Sequence, residues 1–207
     1  MQENKTMTDY KRSLCDRILD TTLRTIVERG VKGTKMDDVA ASLGISKRTL
    51  YELYSTKETV LYEALHRFHK QKAMAINDFA SDPQHDVVDI IIHIYRTEIK
   101  RSINLKPGFY DEMAKFPRIE AYLSEYKRQN GELFLRFLQR GVDEGYFLPD
   151  VDYPLICRFL EAQGNYLREQ RLDENYTFGH LFYNTMLVTL RGCCTKKGIN
   201  KLDAFFR

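Results

Sequence analysis

Leu43-Gly44-Ile45-Ser46-Lys47-Arg48-Thr49-Leu50-Tyr51 is the stretch that decides how this chain folds. Upstream, Thr34 stands three residues before Asp37, and Val39, Ala40 and Leu43 follow at helical spacing. A threonine there can accept a free backbone N–H of a first turn, so a short helix is expected to start beside it. That helix should stop at Gly44, because a left-handed residue is favourable only without a Cβ. Ser46 can then cap a second short helix, Lys47 to about Tyr54. On it Leu50 and Leu53 share a face that can pack on Val39, Ala40 and Leu43, while Lys47, Arg48 and Tyr51 share another. Two short helices about a glycine turn have the form of a helix-turn-helix, although two hairpin helices with no partner satisfy the same periodicity.

Working outward, Leu14, Ile18, Leu19, Leu23, Ile26 and Val27 predict a preceding helix from Tyr10 to Gly30. Ser55-Thr56-Lys57-Glu58 resembles a capping box and opens a long helix with Val60, Leu61, Ala64, Leu65 and Phe68 on one face. The basic, aromatic edge of the second short helix suits the major groove, where Lys and Arg donate to guanine edges or phosphates and a tyrosine hydroxyl bonds phosphate. Lys57, in a first helical turn, is a further phosphate candidate. An ordinary solvated charged face is the alternative.

Gly33-Thr34-Lys35-Met36-Asp37-Asp38-Val39-Ala40, the stretch quoted first, and Ser55-Thr56-Lys57-Glu58-Thr59-Val60-Leu61 together resemble the DNA-binding signature of TetR-family transcriptional regulators, without a gap from about Ile18 to Leu61. Leu53, Tyr54, Thr22 and Ile26 depart from the family's usual residues. The resemblance implies an all-α fold: an N-terminal three-helix helix-turn-helix DNA-binding domain (8–68) and a C-terminal helical bundle (69–207) for ligand binding and dimerisation. It implies that Ser46, Lys47, Arg48 and Thr49 open the recognition helix towards bases or nearby phosphates, and that Thr34, Tyr51 and Lys57 clamp the phosphate backbone. It further implies a cytoplasmic, nucleoid-associated homodimer that reads a two-fold related double-stranded operator, usually as a repressor released by a small-molecule effector. The long helix from Lys57 touches both halves and is the natural lever.

Past Ser81-Asp82-Pro83 the resemblance is one of architecture. Helices are expected over 86–104, over a short run ending near Pro117, over 119–145, from Asp152 or Tyr153 to about Gln170, and finally from Tyr176 to Cys194, with a break at Pro107-Gly108. The last two carry more apolar residues than a peripheral pair needs, which points to a partner surface or to burial within the chain. The resemblance assigns that surface to a second copy, with Phe159, Tyr166, Leu167, Phe178, Phe182 and Met186 in the interface. Tyr95, Phe109, Tyr110, Met113, Phe116, Tyr126 and Phe137 fall on helices that enclose the family's regulatory cavity, although aromatic residues at this spacing also serve as plain core.

Composition agrees with a mostly helical chain. The sequence has 207 residues, only 11 Gly and 5 Pro, and a net charge of +3. Residues 1–72 hold 14 Lys and Arg against 10 Asp and Glu, so the positive charge sits in the N-terminal third. Cys15, Cys157, Cys193 and Cys194 lack metal-site spacing and are expected to be reduced thiols. No export signal or bilayer-spanning run is expected, the longest uncharged run, 175–190, being too short. Glu63 and His66 form a lone Glu-x-x-His without the second copy that a di-iron bundle requires. No catalytic triad or phosphate-cradling loop is present, so neither metal, cofactor nor enzymatic activity is expected. A helical small-molecule-binding protein that no longer engages DNA is the competing reading.

Overall fold

Helical periodicity carries through the computed structural model, which describes residues 2–102 and 108–206. The elements are α1 (Gln2–Gly33), α2 (Met36–Ser42), α3 (Lys47–Leu53), α4 (Lys57–Ala80), α5 (Val87–Ser102), α6 (Phe109–Met113), α7 (Pro117–Asp143), α8 (Tyr153–Glu169), α9 (Phe178–Phe182), α10 (Val188–Gly192) and α11 (Lys196–Phe206). A 3₁₀ turn, Leu172–Glu174, follows α8, and a π-helical turn, Tyr183–Leu187, joins α9 to α10. Among the described residues the extended pairing is confined to one bridge, Phe147 with Cys194, and the fold is all-α as expected. No helix among them is long and apolar enough to cross a membrane.

The chain divides into two compact units, the first running to Lys72 and taking in Phe109–Leu123. Its core is built from Leu14, Ile18 and Leu19 of α1, Met36, Val39 and Ala40 of α2, Leu50 of α3, Tyr54, and Val60 and Ala64 of α4. α1 is interrupted at Gly30, where φ is 77° and ψ is 169°, so the helix ends where the sequence places the glycine. Arg67 of α4 pairs with Asp16 and Asp20 of α1. At the start of α7, the Arg118 backbone N–H donates to Glu58 (2.9 Å) and its guanidinium lies 3.8 Å from the centre of the Tyr62 ring. His69 is buried, with Nδ1 2.9 Å from the Tyr122 hydroxyl and Nε2 3.4 Å from that of Tyr110. Burial, with Lys72 and His66 nearby, pushes its pKa down to about 4.

The second unit holds 73–108 and 124–207, and its core gathers Val87, Val88 and Ile91 with Leu138, Phe147, Tyr153, Leu187, Leu190, Cys193, Cys194 and Leu202. α5 opens on a reciprocal cap. The Asp86 carboxylate accepts the N–H groups of Val88 and Asp89 (3.0 and 3.1 Å), and that of Asp89 accepts the N–H of Asp86 (3.1 Å). Lys201 of α11 reaches both acids, at 2.5 and 2.7 Å, and Tyr146 donates to Asp86. Burial works to raise the Asp86 pKa, but the bonds from Lys201 and Tyr146 outweigh it and hold the group at about 2. Gly141 is required by packing, since a Cβ there would lie 2.0 Å from the Phe147 ring.

Several local expectations are corrected. Thr34 does not cap α2: Lys35 occupies that position without a side-chain bond, and the Thr34 hydroxyl donates to the Gly30 carbonyl (2.8 Å) instead. The residue that caps α4 is Thr56, which accepts the Thr59 N–H at 3.1 Å, whereas Glu58 of the expected box is turned to Arg118. The last expected helix is divided by its π turn, and α11, with Ile199, Leu202 and Phe206 against the core, follows it. The expected end of α5 at Asn104 and the break at Pro107 lie outside the described residues.

Candidate nucleic-acid interface

The turn between α2 and α3 is built by backbone bonds that the sequence encodes locally. Gly44 adopts φ 66°, its N–H donates to Ala41 O (3.1 Å), and the Ile45 N–H donates to Ala40 O (3.1 Å). This pair closes the end of α2 and aims the chain into the next helix. Ser46 then caps α3, its Oγ accepting the Thr49 N–H at 3.0 Å and lying 2.8 Å from the Thr49 hydroxyl. Leu50 is wholly buried, Leu53 packs beside it, and Tyr54 closes the helix from inside, where burial and the Cys15 thiol push its pKa up. α3 is thus seated by one face.

The opposite face carries the expected cations. Lys47 and Arg48 have side chains 60% and 88% exposed, and Tyr51 is exposed with the Lys47 ammonium 5.9 Å from its ring centre. Neither cation is free. Lys47 Nζ lies 2.9 Å from Asp37 of α2, and Arg48 Nε lies 2.9 Å from Glu52 one turn along α3. The hydrogen bond and charge of Asp37 raise the Lys47 pKa. Sequence reasoning did not single out Glu52, although its i+4 spacing from Arg48 is the signal that could have found it. Asp37 carries no such signal, because its pairing crosses the turn between two helices.

Two expected phosphate contacts are placed elsewhere. Thr34 is buried with its hydroxyl committed to Gly30, so its side chain has no path to a duplex. Lys57 turns inward and donates to the Val31 carbonyl at 2.7 Å, and burial lowers its pKa although Glu112 acts to raise it. Glu112 in turn accepts the Val31 N–H at 3.1 Å. Lys57 therefore braces the turn after α1.

The aromatic residues expected at a cavity are distributed between the two units. Phe109 and Met113 are buried in the first, with Phe116 half-buried and Tyr110 against His69. In the second, Tyr95 packs on Phe182 and Phe206 at ring distances of 5.3 and 4.8 Å, Phe137 stacks on Phe134 against the core, and Tyr126 is half-buried. Of the expected interface residues, Phe159 and Tyr166 are each 58% exposed, Leu167 and Phe178 are half-buried, and Phe182 and Met186 pack inward. Tyr183 and Val188, which sequence reasoning missed, are exposed. The extra residue in the π turn shifts the register of the helix beyond it by about 100°. Leu155 joins Phe159 and Tyr166 on the exposed stripe of α8.

Residues 18–64 match the model of the family described as bacterial regulatory proteins, tetR family. Over 198 residues the chain is 26% identical to the HTH-type transcriptional repressor KstR2 of Mycobacterium tuberculosis (strain H37Rv), covering 88% of this chain and 93% of that one. It is 29% identical over 148 residues to the KstR2 of Rhodococcus jostii (strain RHA1), covering 69% and 72%. The fold superimposes on a TetR-family transcriptional regulator from Agrobacterium tumefaciens with a TM-score of 0.69 at 13% identity, over 89% of this chain and 99% of the other.

Proposed function

We propose that this chain, whose residues 18–64 match the tetR family of bacterial regulatory proteins, is a homodimeric repressor that occupies a two-fold related operator and leaves it when a small molecule binds. The observation that carries the reading is α3, held by the wholly buried Leu50 and presenting Lys47, Arg48 and Tyr51 outward. In this proposal residues 8–68 form the DNA-binding domain and 69–207 the regulatory and dimerisation domain. Lys47, Arg48 and Thr49 enter the major groove, while Ser46 and Tyr51 contact the phosphate backbone. Paired recognition helices require half-sites about one helical turn apart, or a multiple of it.

The exposed apolar residues Leu155, Phe159 and Tyr166 of α8, with Tyr183 and Val188, are assigned to the second copy, since exposed apolar surface marks interaction sites. The effector is assigned to the C-terminal domain, where Tyr95, Tyr126 and Phe137 supply an aromatic lining. An effector that favours one dimer geometry by ~1–3 kcal/mol changes DNA affinity roughly 5- to 150-fold. Occupation of DNA places the protein with the cytoplasmic nucleoid.

Gel-shift titration with duplexes from the source genome tests the reading. Binding at low salt that is lost in Arg48→Ala, with the fold intact by circular dichroism, is the expected result. Folded wild-type protein that retains no duplex would overturn it in favour of a ligand-binding protein without DNA.

A further inference from the structure

We propose that Asp37 and Glu52 are specificity-determining residues of the duplex interface: each holds one of the two cations that open α3 and sets a negative charge beside it, so that indiscriminate phosphate contact is penalised. This rests on the helix-turn-helix reading given above. Lys47 Nζ and Asp37 Oδ2 are 2.9 Å apart, as are Arg48 Nε and Glu52 Oε1, and all four side chains are well exposed. Ion pairs this open to water contribute little to stability. The fold does not need them, because buried Leu50, the Gly44 turn and the Ser46 cap already seat α3.

Their effect falls instead on binding. Non-specific affinity comes almost wholly from Lys and Arg neutralising phosphates. A phosphate that captures Lys47 or Arg48 must displace a carboxylate about 3 Å from the cation, and the displaced carboxylate then faces the polyanion. At the correct sequence the balance reverses, since a carboxylate can accept from the amino group of cytosine and the released guanidinium can donate to guanine. Discrimination is then raised by a repulsive element acting against wrong duplexes, one carboxylate contributed by each helix of the motif.

The test compares full-length Asp37→Asn and Glu52→Gln with wild type by fluorescence anisotropy, on a footprinted operator duplex and on its scrambled counterpart, across about 50 to 200 mM salt. Each variant should bind the scrambled duplex about 5-fold more tightly, the order expected when one like charge a few Å away in water is removed. The salt slope should steepen by about 0.9 for each cation freed. Operator affinity should gain less, so the ratio of operator to scrambled binding falls, and Asp37→Glu should restore it. Scrambled-duplex affinity and slope equal to wild type in both variants would overturn the inference while leaving the DNA-binding reading intact. A wild type that binds neither duplex would remove that reading and the inference with it.

Discussion

The first turns of α3 and α4 begin alike and end differently. Each has a hydroxyl cap three residues before a threonine: Ser46 accepts the Thr49 N–H at 3.0 Å and Thr56 accepts that of Thr59 at 3.1 Å. Each then carries a lysine at the next position. Lys47 stands in solvent against a carboxylate on a neighbouring helix, whereas Lys57 is drawn inward onto a backbone carbonyl. A cap is a matter of four consecutive residues. The duty of the lysine that follows it is decided by what distant parts of the chain bring alongside.

The largest departure should come from removing the residue that seats one of these turns. Leu50→Ala leaves a cavity under α3 and should cost about 2–5 kcal/mol in urea unfolding, with DNA binding lost at the same time. A loss below about 1 kcal/mol would mean that α3 is held by its ends.

Acid should act on α4 and spare α3. Because the His69 pKa is lowered to about 4 in the folded state, the unfolded chain takes up its proton near 6.5 while the folded chain does not. Stability contributed by the neutral ring is therefore complete above about pH 6.5 and lost as the pH falls towards 4, by up to about 3 kcal/mol at ~1.4 kcal/mol per unit. Unfolding free energies measured between those limits should show this slope in wild type and a flatter one in His69→Gln.

The two lysines can be set against each other directly. Lys47→Ala should lower operator affinity by about 1–3 kcal/mol, roughly 5- to 150-fold, with unfolding unchanged. Lys57→Ala should do the reverse, costing about 1–2 kcal/mol of stability through the unpaired Val31 carbonyl and leaving the salt slope of DNA binding as it was. A slope reduced by about one in Lys57→Ala would return that residue to the phosphates. Smallest and most alike should be Ser46→Ala and Thr56→Ala, each about 1 kcal/mol by thermal melting, since each removes one cap bond.

What was legible in the chain followed the same division. Gly30, Gly44, Ser46, Leu50 and the outward set Lys47, Arg48 and Tyr51 were readable because each depends on neighbours within a turn or two. Thr34 misled because its spacing to Asp37 allows a cap, while the Gly30 carbonyl, exposed where α1 breaks, is the nearer acceptor. Nothing in Tyr183-Asn184-Thr185-Met186-Leu187 announces a π turn, so the register of the helix beyond it, with Val188 outward, was not legible. α11 escaped notice although its apolar positions are spaced for a helix, and its partners, Asp86 and Asp89, lie more than a hundred residues away.

Val31 is a single residue held through both of the peptide units that flank it. Its N–H is held by Glu112, 81 residues along the chain, and its carbonyl by Lys57, 26 residues along. With Gly30 just before it in a left-handed conformation, the residue resembles a rivet through three layers. Turning either of those two peptide planes breaks the bond it carries, so a displacement of the Phe109–Met113 helix is passed on towards the entrance of α2, five residues further along.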